Sequence, residues 1–312
     1  MSALLLLVLT MFDLIDFSLL PNDAFDETNR LFHGRGHAYP NYEHISIDWL
    51  SPVVLITFYK EDTSEFLQRL AQQLFETIEP CTSVQVQYRY LTKAPFELLL
   101  GDVVTETVVI ENGLKYNISL GRAQNTGLFL DMRNGRQWVQ AHSKNANVLN
   151  LFSYTCGFSL AAMAGGASGV LNVDMSRPSL TAGRENHRLN KQDVSKVNFQ
   201  AVDIFKSFGR IKKYGPYDLM VCDPPSFQKG SVDIKRDYKK IIRRIPEFMK
   251  PNALLMLCLN SPDLDEQFLK QTVIDECPAC DYIEALNTPE VFVEVMQGKG
   301  LKVLIYRYNP AL

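Results

Sequence analysis

The chain has 312 residues, 46% hydrophobic and 21% charged, with a formal net charge of −3 at pH 7. That balance excludes a disordered, collagen-like or disulfide-scaffold protein, and the length predicts two domains. A sequence pI of about 6.0 excludes a generally polyanion-coating surface, so any nucleic-acid contact must use a local patch. The six cysteines show no regularly spaced framework, which predicts reduced thiols in a cytoplasmic protein.

Ala3 to Thr10 is an apolar run, but no Lys or Arg precedes Arg30, and Asp13 and Asp16 break the hydrophobic stretch on its C-terminal side. An export signal wants a basic flank and a membrane span about 20 apolar residues. Residues 1–20 are therefore expected to be an N-terminal extension, buried or loosely ordered, with no membrane role. Residues 21–120 read as a small α+β domain. VVLITFYK (53–60) is rich in β-branched and aromatic residues and predicts a strand. Thr63 to Glu79 carries Phe66, Leu67, Leu70, Leu74, Phe75 and Ile78 at helical spacing, with Thr63 or Ser64 as the cap. VQVQYRY (84–90) alternates as a half-buried strand, and Asn112-Gly113 joins two strands in a tight hairpin.

From Ala146 onward apolar strands alternate with helices. Strands are expected at 148–152, 170–174, 197–203, 217–223 and 254–259, and a closing antiparallel pair at 282–286 and 301–306. Helices fall between them, including one long basic helix from about Ile234 to Met249. Such a pattern is an α/β sheet, mostly parallel with its last strand antiparallel, covered on both faces. Ligands of such sheets sit at the carboxyl ends of the strands. There the sequence offers Phe152-Ser153-Tyr154-Thr155-Cys156-Gly157, then Asp174 with Met175-Ser176, Asp203, Asp223-Pro224-Pro225-Ser226-Phe227, and Asn260.

A carboxylate about 20 residues past the first loop fits a ribose diol. The first loop has one glycine, Gly157, between bulky neighbours, and is poorly built for a pyrophosphate. S-adenosylmethionine (SAM) has the diol, lacks phosphate and carries positive charge, which suits Asp174, Asp203 and Asp223. One such carboxylate would be only a helix cap; three on adjacent strands point to a cofactor site. In Asp223-Pro-Pro the prolines fix the backbone and remove two donors, and Phe227 can stack on a planar ring.

These residues resemble the class I SAM-dependent methyltransferases, and within them the bacterial 23S ribosomal RNA base methyltransferases that make 5-methylcytosine or 7-methylguanine. The matching segments are GRAQNTGLFLDMR (121–133), VLNLFSYTCGFSLAAMAGGA (148–167), VLNVDMS (170–176), ENHRLN (185–190) and DPPSF (223–227). RLFHGRGHAYP (30–40) is similar to part of the small domain those enzymes carry before the catalytic one. The resemblance implies a Rossmann-like methyltransferase domain over 121–312 and assigns RNA recognition to the domain at 21–120. It implies that Phe152, Ser153, Tyr154, Thr155 and Gly157 embrace the methionine part, with Asp174, Met175 and Ser176 at the ribose. Asp203 and Ile204 would face the adenine, Phe129, Asp131 and Arg133 would close the pocket, and Asp223, Pro224, Pro225, Phe227 and Asn260 would meet the target base.

The 5-methylcytosine members place a cysteine just after the fifth strand; here Asn260 stands there and Cys258 lies two positions earlier, inside the strand. A nitrogen acceptor is therefore expected over cytosine carbon 5, which needs a thiolate nucleophile. Arg236, Lys239, Lys240, Arg243 and Arg244 recur on one helical face, and Arg236, Lys240 and Arg243 are expected to contact RNA phosphates. His33 and His37 have a zinc spacing, but Gly34 and Gly36 predict a loop, and no metal is expected. Cys277-Pro-Ala-Cys280 is a lone C-x-x-C without the further ligands zinc needs. The expected partner is ribosomal RNA, with a homodimer allowed. The alternatives are a SAM-dependent enzyme acting on a small molecule or protein, told apart by RNA affinity, and a non-catalytic RNA-binding protein, told apart by cofactor binding.

Overall fold

A computed structural model describes residues 11–15, 17, 27–225, 227, 228, 232–296 and 298–310. Most of the expected extension over 1–20 and Ser226 lie outside the described residues. The chain divides into two compact units: one comprises the chain to Gly113 with Ile118–Thr126 and Val291–Val295, the other Leu114–Asn117, Gly127–Glu290 and Met296–Leu312.

The first unit is a five-stranded sheet with one crossover helix. Its elements are β1 (Asn29–His33), β2 (Ile45–Leu50), β3 (Val53–Phe58), α1 (Ser64–Thr77), β4 (Ser83–Tyr88) and β5 (Phe96–Gly101). The strands lie in chain order; β3 and β4 are parallel, bridged by α1, and the other pairs are antiparallel. The Thr63 side chain caps α1, accepting from the Phe66 amide at 3.3 Å. Leu67, Leu70, Ala71 and Leu74 then face a core that holds Trp49 and Ile56. β4 is not half-buried as its alternation suggests: Ser83 to Gln87 are all buried. The two glutamines are tolerated because their amides find internal acceptors, Gln85 donating to Val104 O at 2.8 Å and Gln87 to Gln124 O at 2.9 Å.

The Gly34-Arg35-Gly36 turn shows why glycine is needed there. A Cβ on Gly34 would lie 1.8 Å from Tyr42 O, and one on Gly36 1.6 Å from Val293 O. β6 (Glu106–Glu111) and β7 (Leu114–Ser119) form the expected hairpin, with positive φ at Asn112 and Gly113.

In the second unit, α2 (Arg133–Ala141) precedes β8 (Asn147–Leu151), α3 (Gly157–Ala164), β9 (Gly169–Asp174), α4 (Arg177–Leu189), β10 (Val197–Ala201), α5 (Phe208–Lys212) and β11 (Tyr217–Cys222). Two short strands, β12 (Phe227–Gln228) and β13 (Val232–Asp233), lead to α6 (Ile234–Ile242) and α7 (Ile245–Phe248). β14 (Met249–Leu259), α8 (Glu266–Glu276), β15 (Cys280–Leu286) and β16 (Lys302–Tyr308) complete it. The sheet order is β10-β9-β8-β11-β14-β16-β15, and β16 runs antiparallel to both neighbours, the closing pair the sequence predicts. Along β8, Leu149 and Leu151 enter one core and Val148 the other; along β11, Met220 and Cys222 alternate likewise with Leu219 and Val221. That double burial is why these strands read as continuous apolar runs. The basic helix expected over 234–249 is instead two helices, because Pro246 opens α7 and cannot donate back to the previous turn.

Candidate active site

The sheet order sets the strand ends side by side: Asp203 after β10, Asp174 at β9, the Phe152–Cys156 loop after β8, Asp223 after β11 and Asn260 after β14. β8 lies between β9 and β11, the switch point where such sheets open a ligand crevice. The loop after β8 holds three non-glycine residues in the left-handed region: Phe152 (φ 56°), Tyr154 (φ 46°) and Cys156 (φ 65°). Each costs about 1–3 kcal/mol, and such strain persists only where the surroundings enforce it. Here the surroundings are explicit. The Tyr154 amide donates to Asp174 Oδ2 at 2.9 Å, Thr155 Oγ1 donates to Gly127 O at 2.6 Å, and Asn186 Nδ2 donates to Thr155 O at 3.2 Å. A Cβ at Gly183 of α4 would lie 2.4 Å from Cys156 Sγ, so that helix closes directly on the loop.

Asp174 takes one backbone amide on each oxygen, Tyr154 N and, at 2.7 Å, Ser176 N. A carboxylate has lone pairs to spare beyond these two, enough for a diol. Ser176 caps α4 through Ser179 N at 3.2 Å, and Met175 is half exposed. Asp203 is partly occupied by capping, with Phe205 N at 2.9 Å and Lys206 Nζ at 3.6 Å; Ile204 is buried beneath it. Ser153 Oγ is buried and finds no hydrogen-bond partner among the described residues. A buried hydroxyl in a strained loop whose next amide is held by Asp174 fits a polar cationic ligand such as SAM.

Asp223 has a strongly perturbed carboxyl. Burial, and then the charge of Asp131, raise it to about 7, against the opposing charge of Arg136. Arg136 is itself buried; its Nη2 donates to Phe129 O at 2.7 Å, and its stem lies 3.3 Å from where a Gly157 Cβ would be. Phe129 is exposed and packs 5.5 Å from the Tyr154 ring, while Arg133 begins α2 half-buried. Sequence reasoning puts forward Phe129, Asp131 and Arg133 but not Arg136, a second arginine one turn along the same helix. It also misses Tyr238. From α6 this buried side chain shares its hydroxyl proton between Cys222 O (3.2 Å) and Cys258 O (2.9 Å), fixing the ends of the strands that carry Asp223 and Asn260.

Pro224 is buried and Pro225 exposed; Phe227 has its backbone in β12, and its side chain lies outside the described structure. Asn260 is exposed at the end of β14, while Cys258 is fully buried within it, its thiol raised well above the usual range by burial and by the charge of Asp223. The three cations expected to contact phosphates each have a carboxylate neighbour. Arg236 donates twice to Asp237, at 2.9 and 2.8 Å, Lys240 donates to it at 2.7 Å, and Arg243 pairs with Glu276 of α8. Asp237 is buried and Glu276 is remote in sequence, so the linear pattern does not show that these three cations are already paired. Among the described residues, no cluster of His, Cys, Asp or Glu could hold a metal ion, and no helix is long and apolar enough to cross a membrane.

A doubly covered α/β sheet with carboxylates at successive strand ends and a strained, phosphate-averse first loop defines a nucleoside-cofactor enzyme. A family model for S-adenosylmethionine-dependent methyltransferases matches residues 29–307, and the chain belongs to that family. SAM is accordingly its cofactor. Ribosomal RNA large subunit methyltransferase I of Aeromonas salmonicida is 34% identical over 222 residues, 68% of this chain and 56% of that protein. The chain thus spans about half the length of the curated relatives it matches. A structure described as a methyltransferase complexed with SAH has a TM-score of 0.84 at 24% identity, covering 93% of this chain and 78% of the other. One from Streptococcus mutans, described as a SAM-dependent methyltransferase, scores 0.82 at 24% identity, covering 93% and 77%. These two likenesses speak for the fold.

Proposed function

We propose that the chain methylates a base of large-subunit ribosomal RNA, at a nitrogen atom. The RNA part is supported by the relatives, whose name is that of a ribosomal RNA methyltransferase. The nitrogen part rests on one observation: the strand end beside Asp223 carries Asn260, and the nearest thiol in sequence, Cys258, is buried in the strand. Methylation at cytosine carbon 5 needs a thiolate adding to carbon 6. An asparagine can orient a base edge by donating and accepting but forms no such adduct.

When bound, SAM supplies an electrophilic methyl group. The chain's own residues supply alignment, the main lever for an in-line displacement. The strained loop and Asp174 hold the cofactor, while the Asp-Pro-Pro backbone presents carbonyls without competing donors. An amine acceptor would donate to Asp223, which takes up a proton with its pKa near 7. Trapping on RNA containing 5-fluorocytosine tests the assignment. No covalent complex should form, and Cys258→Ser should keep most activity while Asn260→Ala loses it. A complex that vanishes in Cys258→Ser would make this a carbon-5 enzyme.

A further inference from the structure

Arg236, Lys240 and Arg243 are each paired with a carboxylate, and the first unit carries a second group of cations. Tyr59 and Arg89 leave the carboxyl ends of the adjacent parallel strands β3 and β4, held there by Tyr59 N to His44 O (2.8 Å) and Arg89 N to Phe58 O (2.7 Å). The Arg35 guanidinium stacks on the Tyr59 ring 4.0 Å from its centroid, and that of Arg89 lies 5.8 Å from the same centroid. Arg89 also donates to Gln124 O at 2.6 Å and Asn125 Oδ1 at 3.2 Å, both neutral acceptors. Neither arginine has a carboxylate partner among the described residues, whereas nearby Arg30 is paired with Asp48. The field is felt locally: burial, then the charges of Arg30 and Arg35, push His33 down to about 3.

Resting on the reading that the substrate is RNA, we infer that Arg35 and Arg89, ordered on Tyr59, form a contact site for single-stranded RNA. A guanidinium presents a rigid fork that matches a phosphate, and holding it against a ring lowers the entropy lost on binding. The exposed Arg35 plane offers a surface on which an unstacked base can lie, and Tyr90, 38% exposed beside Arg89, adds a second ring. An ion-paired cation releases no net counterion; these two do.

The test is titration of the whole chain with a mixed-sequence single-stranded RNA oligonucleotide at several salt concentrations. Replacing both residues, Arg35→Gln with Arg89→Gln, should lower the slope of log affinity against log salt by about 1.4, at roughly 0.7 per phosphate contact. At 0.1 M salt that is a loss of roughly twentyfold. Arg35→Lys with Arg89→Lys should keep the slope, because it keeps the charges. SAM binding by calorimetry should be unchanged in all variants. Equal slope and affinity in wild type and the Gln pair would overturn this inference and leave the RNA reading standing. Failure of the wild-type chain to bind RNA even at low salt would overturn the RNA reading and this inference with it.

Discussion

Asp223 is the residue whose behaviour is most tightly constrained. Burial and the neighbouring charge of Asp131 raise its carboxyl to about 7. Only the ionised carboxylate can take up the acceptor's proton, so kcat/KM for the donor should rise with pH through a midpoint near 7. Asp223→Asn should be slow and lack that step; an unchanged profile in Asp223→Asn would remove it from the reaction. The stability sign is opposite. The folded carboxyl holds its proton more tightly than the unfolded one, so its contribution is full in acid and lost as pH rises through about 7. Melting temperatures across that range should therefore fall less in Asp223→Asn than in wild type. Asp174 is the carboxylate proposed to hold the ribose. Asp174→Ala removes a charge-assisted acceptor, about 1.5–3 kcal/mol, and also frees the Tyr154 and Ser176 amides. SAM affinity should drop by roughly one to two orders of magnitude; an unchanged calorimetric constant would mean the ribose lies elsewhere.

At the scale of elements, α6 does something its sequence conceals. Its basic residues look like a binding face, yet Asp237 holds Arg236 and Lys240 and Glu276 holds Arg243, while the buried Tyr238 ties two strand ends of the site together. Tyr238→Phe leaves two strand-end carbonyls without their donor, which should cost about 1–3 kcal/mol. Its mark as a positioning residue would be a fall in kcat with SAM affinity preserved. Loss of stability alone, with kcat intact, would reduce it to a packing role. Charge partners across elements, Glu276 on Arg243 or Arg136 beside Asp223, are set by tertiary packing and leave no local pattern. Strand ends are different: Asp174 and Asp223 come directly after apolar runs, and both are legible for that reason.

For the whole molecule, the sheet is readable because its strands are buried on both faces and its helices fall between them. The first unit is harder. β5 is mostly exposed on its edge, β4 hides its glutamines by internal hydrogen bonds, and neither obeys the alternation rule. The α1 helix, by contrast, carries both its apolar stripe and its Thr63 cap in plain sequence. The long basic helix fails at one residue, Pro246, whose missing amide proton splits it in two. Which cations remain unpaired is a property of the folded surface, and the sequence does not carry it.

We propose methyl transfer from SAM to a base nitrogen of large-subunit ribosomal RNA. The direct measurement is to incubate unmodified large-subunit RNA with the chain and isotopically labelled SAM, digest it to nucleosides, and identify the labelled product by mass spectrometry. Label is expected in one nitrogen-methylated nucleoside, absent with Asp223→Ala. Label in 5-methylcytidine would contradict the acceptor assignment, and unlabelled RNA would contradict the substrate.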